Sequence, residues 1–106
     1  MKTFTETEEW FEIEGNIATV GVSQTLQKEI GEVVYIQIPP VGTDLIKDQE
    51  AVILESTKAA LDTYAPISGR IVAINKKVLE DPSIVNKDPE KEGWLYKIEI
   101  CDEEKS

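Results

Sequence analysis

Histidine is absent from the 106 residues and cysteine occurs once, at Cys101. Without these side chains the sequence cannot build a Ser-His-Asp or Cys-His constellation, a zinc site of the usual ligands, or a disulfide framework. No catalytic residue and no metal ligand set is therefore expected, and the chain reads as a non-enzyme. Positive charge is also scarce. Eleven Lys+Arg stand against 21 Asp+Glu, a formal charge of −10, which is the wrong sign for attraction to nucleic-acid phosphates or anionic lipid. No apolar run approaches the roughly 20 residues that span a bilayer, and residues 1–6 lack the apolar core of a signal peptide. These absences predict a cytoplasmic protein, or one of the mitochondrial matrix if a transit peptide has been removed, and a monomer is expected.

What is present is a set of short runs rich in Val, Ile and Tyr, broken at close spacing by Gly, Pro, Asn and Asp. That pattern belongs to many short strands folded into a barrel or sandwich, and 106 residues suffice for one such domain. The first hairpin spans residues 10–14 and 17–22 about a turn at Gly15 and Asn16, residue types that tolerate positive φ. Ser23 then caps a short helix to about Ile30, with Leu26 and Ile30 on one face and Gly31 ending it. Further strands are read at 32–38, stopped by Pro39 and Pro40, and at 51–55, 60–64, 69–74 and 94–100. Residues 79–85 read as one helical turn, capped by Asp81 with Pro82 in its first position.

One internal repeat emerges. GEVVYIQ at 31–37 aligns with GRIVAIN at 69–75, an offset of 69 − 31 = 38 residues, and four of the seven pairs are identical or aliphatic swaps. A duplication would place two half-sheets face to face about a pseudo-two-fold axis, with one tight hairpin midway between the copies. Lys58 sits at that midpoint, between two strand-like runs, flanked by the small residues Ser56, Thr57, Ala59 and Ala60, with Glu55 before it and Asp62 after it. A lysine on a rigid hairpin tip with uncrowded sides offers one reachable ε-amine to a modifying enzyme.

The run ESTKAALDTYAPISG at 55–69 resembles the swinging-arm segment of the lipoyl carrier family, and in particular the H protein of the glycine cleavage system. Biotin carriers share that fold but set methionines on both sides of the lysine, where this chain has Thr57 and Ala59. The resemblance extends along the chain: Glu9-Trp10 and GNIATVGV at 15–22 are similar to the start of an H protein. Residues 26–31 are similar to its first helix, 39–42 to its central turn, and Val85-Asn86 with Gly93-Trp94-Leu95 to its closing portion.

The resemblance implies a mostly β fold, a flattened β-barrel or hybrid sandwich of the lipoyl-carrier type with a short helix after the first hairpin. It implies one lipoyl-carrier domain over residues 1–106, and lipoic acid joined as an amide to Lys58. Glu55 and Asp62 are read either as recognition determinants for the lipoylating enzyme, a lipoate ligase or lipoyltransferase, or as solvated strand residues. The function implied is a shuttle that carries an aminomethyl group from a pyridoxal-phosphate glycine decarboxylase to a tetrahydrofolate-dependent aminomethyltransferase. A flavin-containing dihydrolipoamide dehydrogenase then reoxidises the arm. Two departures stand out. Glu9 occupies a position where H proteins usually carry histidine, and H proteins continue past the last strand into a C-terminal helix, which by this resemblance is not expected within residues 1–106. These departures keep open an H-like carrier serving another pathway, as a lipoyl relay to other carriers or a redox or sulfur carrier. An unmodified interaction module is the third reading.

The remaining candidates have plainer readings. Cys101 falls on the outer face at a fraying end, with nothing near it in sequence to lower its pKa, and is taken as an incidental thiol. Trp10 and Trp94 are expected to be core anchors. Asp44, Asp48, Asp81 and Asp88 flank turn signals and are expected to cap and form turns rather than bind metal.

Overall fold

The computed structural model describes residues 2–100. In chain order the elements are β1 (Thr3–Phe4), β2 (Glu9–Glu14), β3 (Ile17–Val22), α1 (Gln24–Ile30), β4 (Val33–Gln37), β5 (Asp44–Leu45), β6 (Glu50–Ser56), β7 (Ala60–Tyr64), β8 (Gly69–Ile74), α2 (Lys76–Glu80), α3 (Ser83–Lys87) and β9 (Tyr96–Ile100). They form two antiparallel sheets, one of six strands in the order β1-β2-β3-β9-β8-β5 and one of three in the order β4-β6-β7.

Period-two alternation decides what lies between the sheets. Val20 and Val22 of β3, Ile71 of β8 and Ile98 of β9 share one core cluster with Ile36 of β4 and with Val52 and Leu54 of β6. Removing each of these side chains from water is worth about 1.5–3 kcal/mol. Of the polar groups that enter this core, the Thr63 hydroxyl is satisfied, whereas the Tyr96 hydroxyl has no hydrogen-bond partner among the described residues. At the irregularity in β6 the Thr63 hydroxyl accepts from the Val52 N–H at 3.3 Å and donates to its carbonyl at 3.1 Å, standing in for missing ladder bonds.

The hairpin and helix expected at the start of the chain are present. Glu14 pairs with Ile17 across the turn, and Gly15 takes a φ of 63° there. The Ser23 hydroxyl accepts from the Leu26 N–H at 3.0 Å, and Gly31 closes α1 at φ 81° by donating its N–H to the Gln27 carbonyl. The two repeat copies form β4 and β8 and lie in different sheets, with Val33 and its counterpart Ile71 both buried. The sheets are unequal in size, because β1, β2 and β3 extend only one of them.

Several expectations need correction. Residues 79–85 do not make a single turn. Asn75 caps α2 by accepting the Lys77 N–H at 3.2 Å, and a separate α3 follows, with the Asp81 carboxylate accepting the Ser83 N–H at 3.1 Å. Trp94 is not a core anchor. It is half-buried with the Lys97 ammonium 5.2 Å from its ring centroid, while its neighbour Leu95 is buried and breaks the alternation before β9 begins. Trp10 is buried but outside the main cluster. Its indole covers Gly21, where an added Cβ would lie 2.7 Å from the ring, and its Nε1–H donates to the Pro89 carbonyl at 3.1 Å. Asp44 is a strand residue whose carboxylate takes the Arg70 guanidinium at 3.0 Å, an exposed pair of little energetic weight. Asp48, at φ 73°, and Asp81 serve turns and caps as expected, and Asp88 accepts the Glu92 N–H at 3.3 Å.

Cys101 and the tail after it lie outside the described residues. Among the described residues no helix is long and apolar enough to cross a membrane, and no group of three or more acidic or thiol side chains could hold a metal ion.

Candidate functional site

Strands β6 and β7 form the hairpin that bears Lys58. Leu54 pairs with Leu61 and Glu55 with Ala60, so residues 56–59 make the tip. One hydroxyl organises it. The Ser56 Oγ accepts the backbone N–H groups of Lys58 and Ala59, both at 3.1 Å, and the Ser56 N–H donates to the Ala59 carbonyl at 2.8 Å. A serine here does what a longer polar side chain could not, because it bonds its own turn without covering the lysine. Lys58 is exposed, as are Thr57, Ala59 and Ala60.

The tip is also anchored from behind. The Thr57 N–H donates to the Glu32 carbonyl at 3.1 Å, and Val33 pairs with Ser56. Directly beneath the lysine lies Gly31, held at φ 81° and ψ −153°, a conformation nearly confined to glycine. The point where a Gly31 Cβ would stand is 3.6 Å from Lys58 Cε and 3.9 Å from its Nζ. The stem of the lysine therefore rests on the C-terminal end of α1, over backbone rather than against a side chain.

Glu55 and Asp62 are both exposed. Glu55 stands opposite Ala60 and Asp62 opposite Ile53, and residues two apart share a face, so both acids lie on the outer face of the hairpin below the lysine. The structure thus brings Lys58, Glu55 and Asp62 to one hairpin. Beside β7 an open cleft of about 440 Å³ is lined by Glu6, Glu8, Glu29 and Asp62 together with Leu26 and Leu61. Apart from Asp62, these carboxylates belong to the N-terminal segment and α1, and only the fold collects them.

Glu9, the departure from the usual histidine, is buried and fully bonded. Its carboxylate accepts the Thr5 hydroxyl at 2.7 Å, the Thr7 hydroxyl, and the Tyr64 backbone N–H at 3.0 Å. A carboxylate with three donors is tolerated in a buried place where a bare one would not be. It ties the N-terminal segment to the end of β7. The nearby Tyr96 phenol is pushed up in pKa, first by its burial and then by the charge of Glu9.

Sequence reasoning missed three parts of this site: the glycine platform under Lys58, the tip bond from Thr57 to Glu32, and the carboxamide of Asn86. That carboxamide accepts the Val33 N–H at 2.9 Å and donates to the Val33 carbonyl at 3.0 Å. The signals in these places were Gly31 read as the end of the first helix, the 31–37 repeat copy, and the match of Val85-Asn86 to the closing portion of H proteins.

Residues 2–106 match the family model described as "Glycine cleavage H-protein". The glycine cleavage system H protein of Thermotoga maritima is 50% identical over 103 residues, covering 97% of this chain and 83% of the relative. That of Bartonella quintana is 43% identical, covering 94% of this chain and 82% of the relative. The crystal structure of a glycine cleavage system H protein from Mycobacterium marinum superposes with a TM-score of 0.90 at 31% identity, covering 94% of this chain and 84% of that one. With a family model spanning nearly every residue and relatives this similar over most of their own length, the chain belongs to the glycine cleavage H-protein family.

Proposed function

We infer that this protein is the lipoyl carrier of the glycine cleavage system, with lipoic acid attached as an amide to Nζ of Lys58. The observation that carries the reading is the hairpin itself. An exposed lysine stands on a tip fixed by Ser56 and Thr57, between side chains too small to hinder an enzyme's cleft, in a chain of the H-protein family. When bound, the lipoyl group supplies a dithiolane that accepts and hands on the aminomethyl group of glycine. The residues of this chain bind and orient; they supply no catalytic group.

Their work divides by position. The tip holds the attachment point away from the sandwich, so the arm's local concentration at a partner's active site is set by its tether. The cleft beside β7, with Glu6, Glu8, Glu29 and Asp62, favours a cationic amine over a neutral or anionic group. Amidation removes one positive charge, taking the formal total from −10 to −10 − 1 = −11. An acidic carrier of this kind is steered toward basic rims on glycine decarboxylase, aminomethyltransferase and dihydrolipoamide dehydrogenase in turn, without binding any of them permanently.

The test is the intact mass of the protein after incubation with lipoate, ATP and a lipoate ligase. An increase of one lipoyl amide, located on Lys58 by peptide mapping, is the expected result; an unchanged mass of folded protein overturns the reading. Glycine-dependent CO2 release with the decarboxylase then tests the pathway.

Glu55 is assigned to recognition by the lipoylating enzyme. Replacing it with Ala removes an exposed charge three residues from Lys58. Stability should change by no more than about 0.5 kcal/mol, while kcat/KM for lipoylation falls roughly three- to tenfold through slower association. Equal lipoylation of the two proteins would reduce Glu55 to a surface residue.

A further inference from the structure

Asn86 lies on α3, far from Lys58 in sequence, yet it is bonded to the strand on which the lysine's hairpin hangs. Its carboxamide accepts the Val33 N–H at 2.9 Å and donates to the Val33 carbonyl at 3.0 Å, the pair of bonds a neighbouring strand would make. Strand β4 is an edge of the three-stranded sheet and is irregular between Val33 and Tyr35, so nothing in the ladder supplies those bonds. The carboxamide makes a third bond, with Oδ1 also accepting Gln27 Nε2 at 3.2 Å, and the same Gln27 amide donates to the Gly31 carbonyl at 3.2 Å.

Two helices thus clasp the three residues 31–33, and each of the three bears on the lysine. Gly31 is the surface beneath the Lys58 stem, Glu32 accepts the Thr57 N–H at 3.1 Å, and Val33 pairs with Ser56, whose hydroxyl holds the Lys58 N–H. We propose that Asn86, assisted by Gln27, is a positioning residue for acylation of Lys58: it fixes the platform at residues 31–33 that sets where the lysine amine is presented. This rests on the reading of Lys58 as the lipoyl attachment site. Asn86 spends its hydrogen bonds on Val33 and Gln27 and none on the lysine, so it acts through backbone geometry. An enzyme that must place one amine against an activated acyl group loses rate when that amine samples several positions.

The test compares wild type, Asn86→Ala and Gln27→Ala with Ile71→Val, a core change in the opposite sheet that lowers stability while leaving every hydrogen bond of the clasp in place. Two quantities are read on each folded protein: the initial rate of lipoyl transfer by a lipoate ligase, and hydrogen exchange at the Thr57 amide. Asn86→Ala should speed Thr57 exchange and lower kcat/KM on the order of tenfold. Gln27→Ala should do the same to a smaller degree, and it keeps the test decisive if Asn86→Ala fails to fold. Ile71→Val should leave both readouts at wild-type values.

Lipoylation of the clasp variants within twofold of wild type, or an equal loss in Ile71→Val, would overturn the proposal. A wild-type protein that takes up no lipoyl group fails at an earlier step, before any variant is compared, and overturns the carrier reading itself.

Discussion

Replacing Lys58 with Arg is expected to abolish lipoylation and glycine-dependent CO2 release while leaving the melting temperature unchanged. The substitution keeps the formal charge at −10 and keeps a long flexible side chain on an exposed tip, so folding loses no packing and no charge. What it removes is the amine. A guanidinium stays protonated at any pH the protein survives and offers no free electron pair to an acyl adenylate. The tip's own bonds run through the backbone N–H groups of Thr57, Lys58 and Ala59, which arginine retains. Intact mass, CO2 release with the decarboxylase and thermal denaturation check the three parts together, with stability held within about 0.5 kcal/mol. A Lys58→Arg protein that still gained a lipoyl mass would place the arm on another of the chain's lysines.

How much of this was visible beforehand depended on how far apart in sequence the interacting groups lie. The Gly15-Asn16 turn and the Ser23 cap act over two or three residues, and each has a residue type that its geometry demands. The same is true of the Lys58 tip: two strand-like runs with four small or short residues near the lysine define a hairpin, and period two then sets Glu55 and Asp62 on one face. Asn86 is the opposite case. Its partner Val33 is 53 residues away, and an asparagine after a short apolar run signals a cap or a turn rather than a side chain completing a distant edge strand. Strands β1 and β5, of two residues each, are too short to show any period. Trp94 failed for a related reason, since size alone predicted burial, whereas the chain crosses into β9 only at Tyr96 and turns the indole toward Lys97. The acidic cleft could not be read at all, because its carboxylates come from the N-terminal segment, α1 and β7.

Gly69→Ala should be among the most destabilising single-methyl additions in the protein. Gly69 opens β8 and pairs with Ile100 of β9 on one side and Leu45 of β5 on the other. A Cβ built there would stand 2.1 Å from the Glu99 carbonyl oxygen and 3.0 Å from both the Glu99 carbonyl carbon and Ile98 Cγ1. Two of these three atoms are backbone, so no rotamer change relieves the contact and β8 must shift away from β9. Overpacking of this kind costs about 3 kcal/mol, which in a domain of this size lowers Tm on the order of 15 °C. Gly15→Ala supplies the contrast: nothing lies within 4 Å of its added Cβ, and the only obstacle is a φ of 63°. That backbone cost is about 1 kcal/mol, so the two alanine variants should melt about 10 °C apart. The comparison separates two reasons for a glycine, close approach of another backbone and left-handed conformation. Equal melting temperatures would mean that β8 and β9 yield where the packing around Gly69 says they cannot.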